Sequence, residues 1–95
     1  MTEKKEWNFI TNYGLVLLYI SRNPESTTRE MAVVLNVTER TIRRVLDELF
    51  EAGYITWHRK GRRNAYQINI GQELKHELTK ETLLGDLLSL LGSGL

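Results

Sequence analysis

Cysteine is absent from this 95-residue chain, which excludes disulfides, thiolate metal sites and cysteine redox sensing. Proline occurs once, as Pro24, so there is a single obligate break in any helical pattern. No apolar run reaches the roughly 20 residues that a membrane-spanning helix needs, so no membrane partner is expected. The start, TEKKEWNF, is charged and no apolar core follows it, which argues against a secretory signal and for a cytoplasmic setting. Strong charge of either sign is also missing: the formal net charge is +1. The length suits one domain with a thin core, which oligomerisation would help.

The charge is unevenly placed. Residues 1–35 carry no net charge, residues 36–70 carry +3 and residues 71–95 carry −2. A local basic patch on a nearly neutral chain can still steer toward phosphate.

The stretch TTREMAVVLNVTERTIRRVLDELFEAGYI, from Thr27 to Ile55, reads as two amphipathic helices joined by a short turn. Thr27 with Glu30 three residues on makes a capping box. Met31, Ala32 and Leu35 share a face, and Asn36, by left-handed geometry or a local cap, closes the helix. Val37 is an apolar turn residue suited to burial between helices. Thr38 caps the second helix, whose core face is Ile42, Val45, Leu46 and Leu49. Arg40, Arg43 and Arg44 lie off that face near the N-terminus, and Asp47, Glu48 and Glu51 follow. That order opposes the helix dipole, which favours acids first. It suits a helix placed against an anionic groove; a merely solvated face is the alternative.

Upstream, FITNYGLVLLYIS predicts a first helix of about four turns, with Asn8 as a possible cap and a stop before Pro24. Trp7, Phe9 and Tyr13 read as its packing residues or as the lining of a small effector pocket. Gly14 weakens this helix by roughly 1 kcal/mol, so a close neighbour is expected there. Leu15 to Ile20 is apolar throughout, and one buried face accounts for only about half of it. A short edge strand is expected around Ser26. Downstream, Gly53 ends the third helix. YITWHR and AYQINI read as strands joined by a four-residue loop at Lys60 to Arg63, with Trp57 opposite Tyr66 and Ile55 opposite Ile68, both tryptophan and isoleucine pointing inward.

The layout is mainly α with a β-hairpin wing: three helices, a hairpin and a C-terminal helix. Arg59, Lys60, Arg62 and Arg63 crowd the hairpin turn, and their mutual repulsion is a penalty that phosphate would relieve. Basic tips also keep sheet edges soluble, which is the plainer reading.

These residues, above all REMAVVLNVTERTIRRVLDELFEAGYI with GRRNAY as support, resemble small winged helix-turn-helix transcriptional regulators of the broad MarR and ArsR type. The resemblance covers nearly the whole chain. It implies that Glu39, Arg40, Thr41, Arg43 and Arg44 face DNA and that Lys60, Arg62 and Arg63 touch backbone or minor groove. Arg59 and His58 stand beside that wing as further phosphate neighbours. Thr27 and Thr28 can present backbone N–H groups to phosphate as well as cap, and Thr41 can equally be a capping residue. The ArsR metal sites have no counterpart, because cysteine is absent, and the long dimerisation helices of MarR proteins are missing.

Residues 1–70 thus form the expected DNA-binding core, and 71–95 a C-terminal arm with a leucine-rich helix capped by Thr82 and ended by Gly92 and Gly94. Residues 72–81 read as an arm or a separate turn of helix, the resemblance favouring the arm. The tail holds more leucines than a domain of this size can cover. A homodimer through the first and last helices is the simplest solution, and it would present two recognition helices to a palindromic site. A tail folded back over its own first helix is the alternative. His58 and His76 are far apart, so no metal is assigned; no cofactor is expected, and an effector is left open. No nucleophile–base pair, phosphate-cradling loop or carboxylate dyad stands out, so the chain reads as a non-enzyme. The expected function is sequence-specific binding of double-stranded DNA in transcription regulation. The rival is a winged-helix protein-interaction module without DNA binding; a single-stranded RNA binder would want outward-facing aromatics on the sheet.

Overall fold

The computed structural model describes residues 9–92. Its elements are α1 (Asn12–Arg22), α2 (Thr28–Leu35), α3 (Glu39–Glu51), β1 (Ile55–Lys60), β2 (Arg63–Ile68) and α4 (Leu84–Leu90). This is the winged-helix order that the sequence predicts.

The central helices begin and end where their caps put them. The Thr27 hydroxyl accepts from the Glu30 N–H (3.1 Å) and Glu30 Oε1 accepts from the Thr27 N–H (2.9 Å), so the capping box of α2 is complete. Asn36 takes left-handed geometry at φ 56°, and the Val37 N–H returns to Ala32 O at 3.0 Å. Thr38 caps α3 by accepting from the Thr41 N–H. At its other end Gly53 adopts φ 82°, the Gly53 N–H bonds Phe50 O and the Tyr54 N–H bonds Leu49 O. This closing pair needs a residue that tolerates positive φ.

Ile42, Val45, Leu46 and Leu49 are buried, as the helical spacing predicts, against Val16, Leu17 and Ile20 of α1, Met31 and Ala32 of α2, and Ile55 and Tyr66 of the hairpin. Each such aliphatic side chain contributes about 2 kcal/mol on burial. The apolar run of α1 divides as expected: Val16, Leu17 and Ile20 are buried, while Leu15, Leu18 and Tyr19 are only partly so.

Several details differ from the sequence reading. Helix α1 has 11 residues, about three turns, and its N-cap Thr11 makes no side-chain cap. Trp7, the Asn8 cap and Gly94 lie outside the described residues. Ile10 folds over Gly14, where an added Cβ would lie 2.5 Å from Ile10 Cγ2, so the glycine accommodates the residue that enters its own helix. Phe9 does not pack; it is 94% exposed. Ser26 forms no strand. It is buried, and a single backbone bond, Tyr66 N–H to Pro24 O at 2.8 Å, joins this connection to the hairpin. The hairpin has the expected register, Trp57 opposite Tyr66 and Ile55 opposite Ile68, but Lys60 and Arg63 also pair, leaving only Gly61 and Arg62 as the turn. Gly61 supplies the positive φ, 61°, that so tight a turn requires. Trp57 is not a core residue: it is 48% exposed where Ile55 is 1% exposed, because the hairpin runs outward past the end of the helical layer. Strand β2 stops at Ile68, and Ile70 is left exposed.

The tail folds back on its own chain. Leu84 and Leu88 are buried in the core beside α1. Residues 72–81 form a loop of turns rather than an arm, closed at its base by a Glu73–Leu83 bridge. Thr82 does not cap α4; Leu83 is the cap residue and makes no side-chain cap. The first N–H groups of α4 instead donate to the hairpin exit, Leu84 to Gln72 O (2.8 Å) and Gly85 to Ile70 O (2.9 Å). That docking leaves no room at Gly85, where a Cβ would lie 2.7 Å from Ile70 Cβ and 3.0 Å from Ile70 O. Gly85→Ala should therefore destabilise the fold by about 1–3 kcal/mol in urea unfolding. An unchanged midpoint would show that α4 is not held against the hairpin exit in this way.

Candidate nucleic-acid interface

With one face of α3 buried, helical spacing sends Arg40, Arg44, Asp47 and Glu51 to the opposite side, Arg43 and Phe50 toward the hairpin, and Thr41 and Glu48 toward α1. The arginines occupy the first half of that outer surface and the acids the second.

The three arginines are held differently. Arg40 is exposed and has no hydrogen bond or ion pair among the described residues. Arg43 Nη2 donates to Glu39 Oε1 at 3.2 Å, and Glu39 Oε1 also accepts from Thr28 Oγ1 at 3.3 Å. Arg44 Nη1 donates both to Glu48 Oε1 (2.9 Å) and to the Tyr13 hydroxyl (3.0 Å), which itself donates to Glu48 Oε1 at 2.6 Å. Hydrogen bonding to Tyr13 first, and Glu48 with it, holds the Arg44 guanidinium above its ordinary value. It is a permanent cation tied to α1.

The threonines are already engaged in structure. Thr27 caps α2, and Thr41 both donates its N–H to Thr38 and shares a hydroxyl–hydroxyl bond with it at 3.0 Å. Thr28 borders a cleft of about 640 Å³ between α3 and the hairpin, with Arg43, Asp47, Phe50 and the exposed face of Trp57 along its walls.

In the wing the expected crowd of unpaired cations is not found. Lys60 Nζ pairs with Glu25 Oε2 at 2.7 Å, and Arg63 Nη1 pairs with Glu30 Oε1 and Glu25 O, both at 3.1 Å. Two of the four wing charges are thus neutralised by carboxylates that flank the start of α2. Arg59 donates to Gly61 O and Asn64 Oδ1 within the hairpin itself. Arg62 sits in the turn, exposed and without a partner among the described residues. His58 is exposed, on the strand face that it shares with Lys60.

The outward cations free of carboxylates are therefore Arg40 on the helix and Arg59 and Arg62 on the wing. Arg29, in the first turn of α2, is also exposed and unpaired among the described residues, and the sequence reading omitted it. The partners Tyr13, Glu25 and Glu30 were missed too. Helix spacing announces Glu48 for Arg44 and Glu39 for Arg43, four residues apart in each case. No local signal links Tyr13 to α3 or Glu25 to the wing, since each contact spans more than thirty residues.

Residues 10–90 match the family described as "Sugar transport-related sRNA regulator N-term". The match supports a winged-helix regulator without specifying the MarR or ArsR type. No curated protein and no solved structure matches the chain.

The wing anchors titrate. The hydrogen bond and charge of Lys60 hold Glu25 below the usual 4.5, and the Thr27 N–H followed by Arg63 does the same for Glu30. Carboxylates depressed in the fold contribute stability above their unfolded value and lose it as pH falls through the lower folded values. As pH falls through these lowered values, below 4.5, the Lys60 and Arg63 anchors of the wing should release, read as an NMR shift of the Arg63 amide. The step should vanish in the Glu25→Gln, Glu30→Gln double variant, and its survival there would assign it to other groups.

Proposed function

This chain belongs to that family of regulator N-terminal domains, and from that premise we propose that it binds double-stranded DNA sequence-specifically, as a homodimer, to regulate transcription. The family is a winged-helix, DNA-binding transcription-regulator domain. What carries the finer reading is the placement of Arg40: a guanidinium on the outer face of a recognition helix, without a partner among the described residues and flanked by the tethered Arg43 and Arg44. In this reading α3 enters the major groove, where arginine can address guanine bidentately. Glu39 and Thr41 lie beside it, the N-terminus of α2 with Thr27, Thr28 and Arg29 meets the backbone, and the wing follows an adjacent groove. Arg59 and Arg62 contact phosphate directly. His58 lies beside them, and Lys60 and Arg63 join by exchanging their carboxylates for phosphate. Catalysis has no part in this reading, and the setting is cytoplasmic; among the described residues no helix is long and apolar enough to cross a membrane.

Residues 71–95 then act as the pairing element with α1. Support comes from the apolar side chains left outside: Leu90 is 85% exposed, and Leu15 and Leu18 on α1 are only partly covered. Sedimentation at micromolar concentration should give a dimer; a monomer there would remove the dimer from the reading while leaving DNA binding in place.

The deciding experiment is fluorescence anisotropy against duplex DNA at several salt concentrations. Arg40→Ala should alter base preference as well as affinity, whereas Arg62→Ala should weaken binding nearly uniformly and reduce the salt slope by about 1. Normal binding by both variants would refute this docking, and no duplex binding at low salt would refute the DNA reading itself.

A further inference from the structure

Tyr13 is the only side chain outside α3 to which Arg44 hydrogen-bonds among the described residues. Its hydroxyl completes a triangle with Arg44 and Glu48 in which every side is 3.0 Å or shorter. We infer that Tyr13 is a specificity-determining positioning residue, fixing from α1 the guanidinium with which Arg44 reads a base. This rests on the DNA reading above.

Three observations carry it. First, an exposed i,i+4 pair such as Arg44–Glu48 holds a long side chain only weakly, and such pairs contribute little by themselves. A second contact from a different helix restrains the guanidinium relative to the body of the fold. Second, both contacts of Arg44 use Nη1 alone. Guanidinium carries five N–H donors, so the edge formed by Nη2 and Nε is left to address guanine O6 and N7. The triangle orients the fork without consuming it. Third, Tyr13 stands on a fixed base: although its side chain is exposed, it projects from α1 one turn before Val16 and Leu17, which are buried in the core. Arginine side chains lose about 2 kcal/mol of rotamer freedom when fixed. Ordering before binding lowers what the complex must supply, and it favours the base that matches the preset direction.

The test compares wild type, Tyr13→Phe, Arg44→Ala and the double variant on two duplexes: a site selected by the wild type from randomised DNA, and mixed-sequence DNA. Phenylalanine keeps the ring and removes only the hydroxyl. Tyr13→Phe should lower the ratio of specific to mixed-sequence affinity about three- to ten-fold, with the salt slope unchanged. In the Arg44→Ala background the same substitution should change nothing, since coupled residues are non-additive. A wild-type ratio in Tyr13→Phe, an equal loss on both duplexes, or an equal loss without Arg44 would each overturn the inference while leaving the DNA reading intact. A wild type that selects no site would remove the DNA reading and this inference with it.

Discussion

Burial of one face of α3 is the constraint on which everything else depends. Ile42, Val45, Leu46 and Leu49 are each 7% exposed or less, and they meet side chains from α1, α2 and the hairpin at once. Rotating the helix by one residue would bring Arg43 toward that core without a partner, at a cost of several kcal/mol. The same burial that makes the core therefore dictates which side of α3 is outward. The candidate interface is the complement of the core.

A second layer of order is electrostatic, and it is selective. Seven basic residues lie between positions 36 and 70, yet carboxylates hold Arg43, Arg44, Lys60 and Arg63. Each pair is solvent-exposed and individually weak. Their effect is on direction more than on stability. Glu30 illustrates it: the carboxylate that completes the α2 cap also receives Arg63, so helix start and wing are joined through one side chain. Anchored cations keep the wing beside α2 and leave Arg59 and Arg62 at its outer end. The charge available to a polyanion is smaller than the sequence count suggests, and more precisely placed.

What the sequence made legible is what short-range rules govern. The Thr27–Glu30 box, the Asn36 turn, the Gly53 stop, the four core positions of α3 and the hairpin register all rest on spacings of a few residues, and each is present. The family match bears out the winged-helix regulator that the same stretch resembled. Illegible were the contacts between distant segments. Trp57 alternates with Ile55 and so reads as inward, but alternation cannot tell how far the helical layer extends beneath a strand. Tyr13 shares the periodicity of buried neighbours, which conceals the work of its hydroxyl. Composition counted the wing cations correctly and could not see that Glu25 and Glu30 reach them. The site residues named from sequence lie on α2, α3 and the wing, but their availability depends on those partners.

The tail completes the same argument. Helix α4 has seven residues, too few to hold together in water without tertiary contacts. It lacks a side-chain cap, and its first N–H groups donate to Gln72 and Ile70 on the way out of the hairpin. Its other end is fastened by Arg22, which donates to Gly92 O at 2.7 Å. Between these two fastenings Leu84 and Leu88 enter the core, so this helix is formed by the domain rather than added to it. The leucine-rich pattern therefore does double duty: one face closes the monomer, and only the remainder, with Leu90 outermost, is free for another surface. A substitution at Leu84 or Leu88 would test folding, whereas Leu90 lies where a change can reach a partner without reaching the core. That separation lets the fold of the tail and the association proposed for it be varied independently.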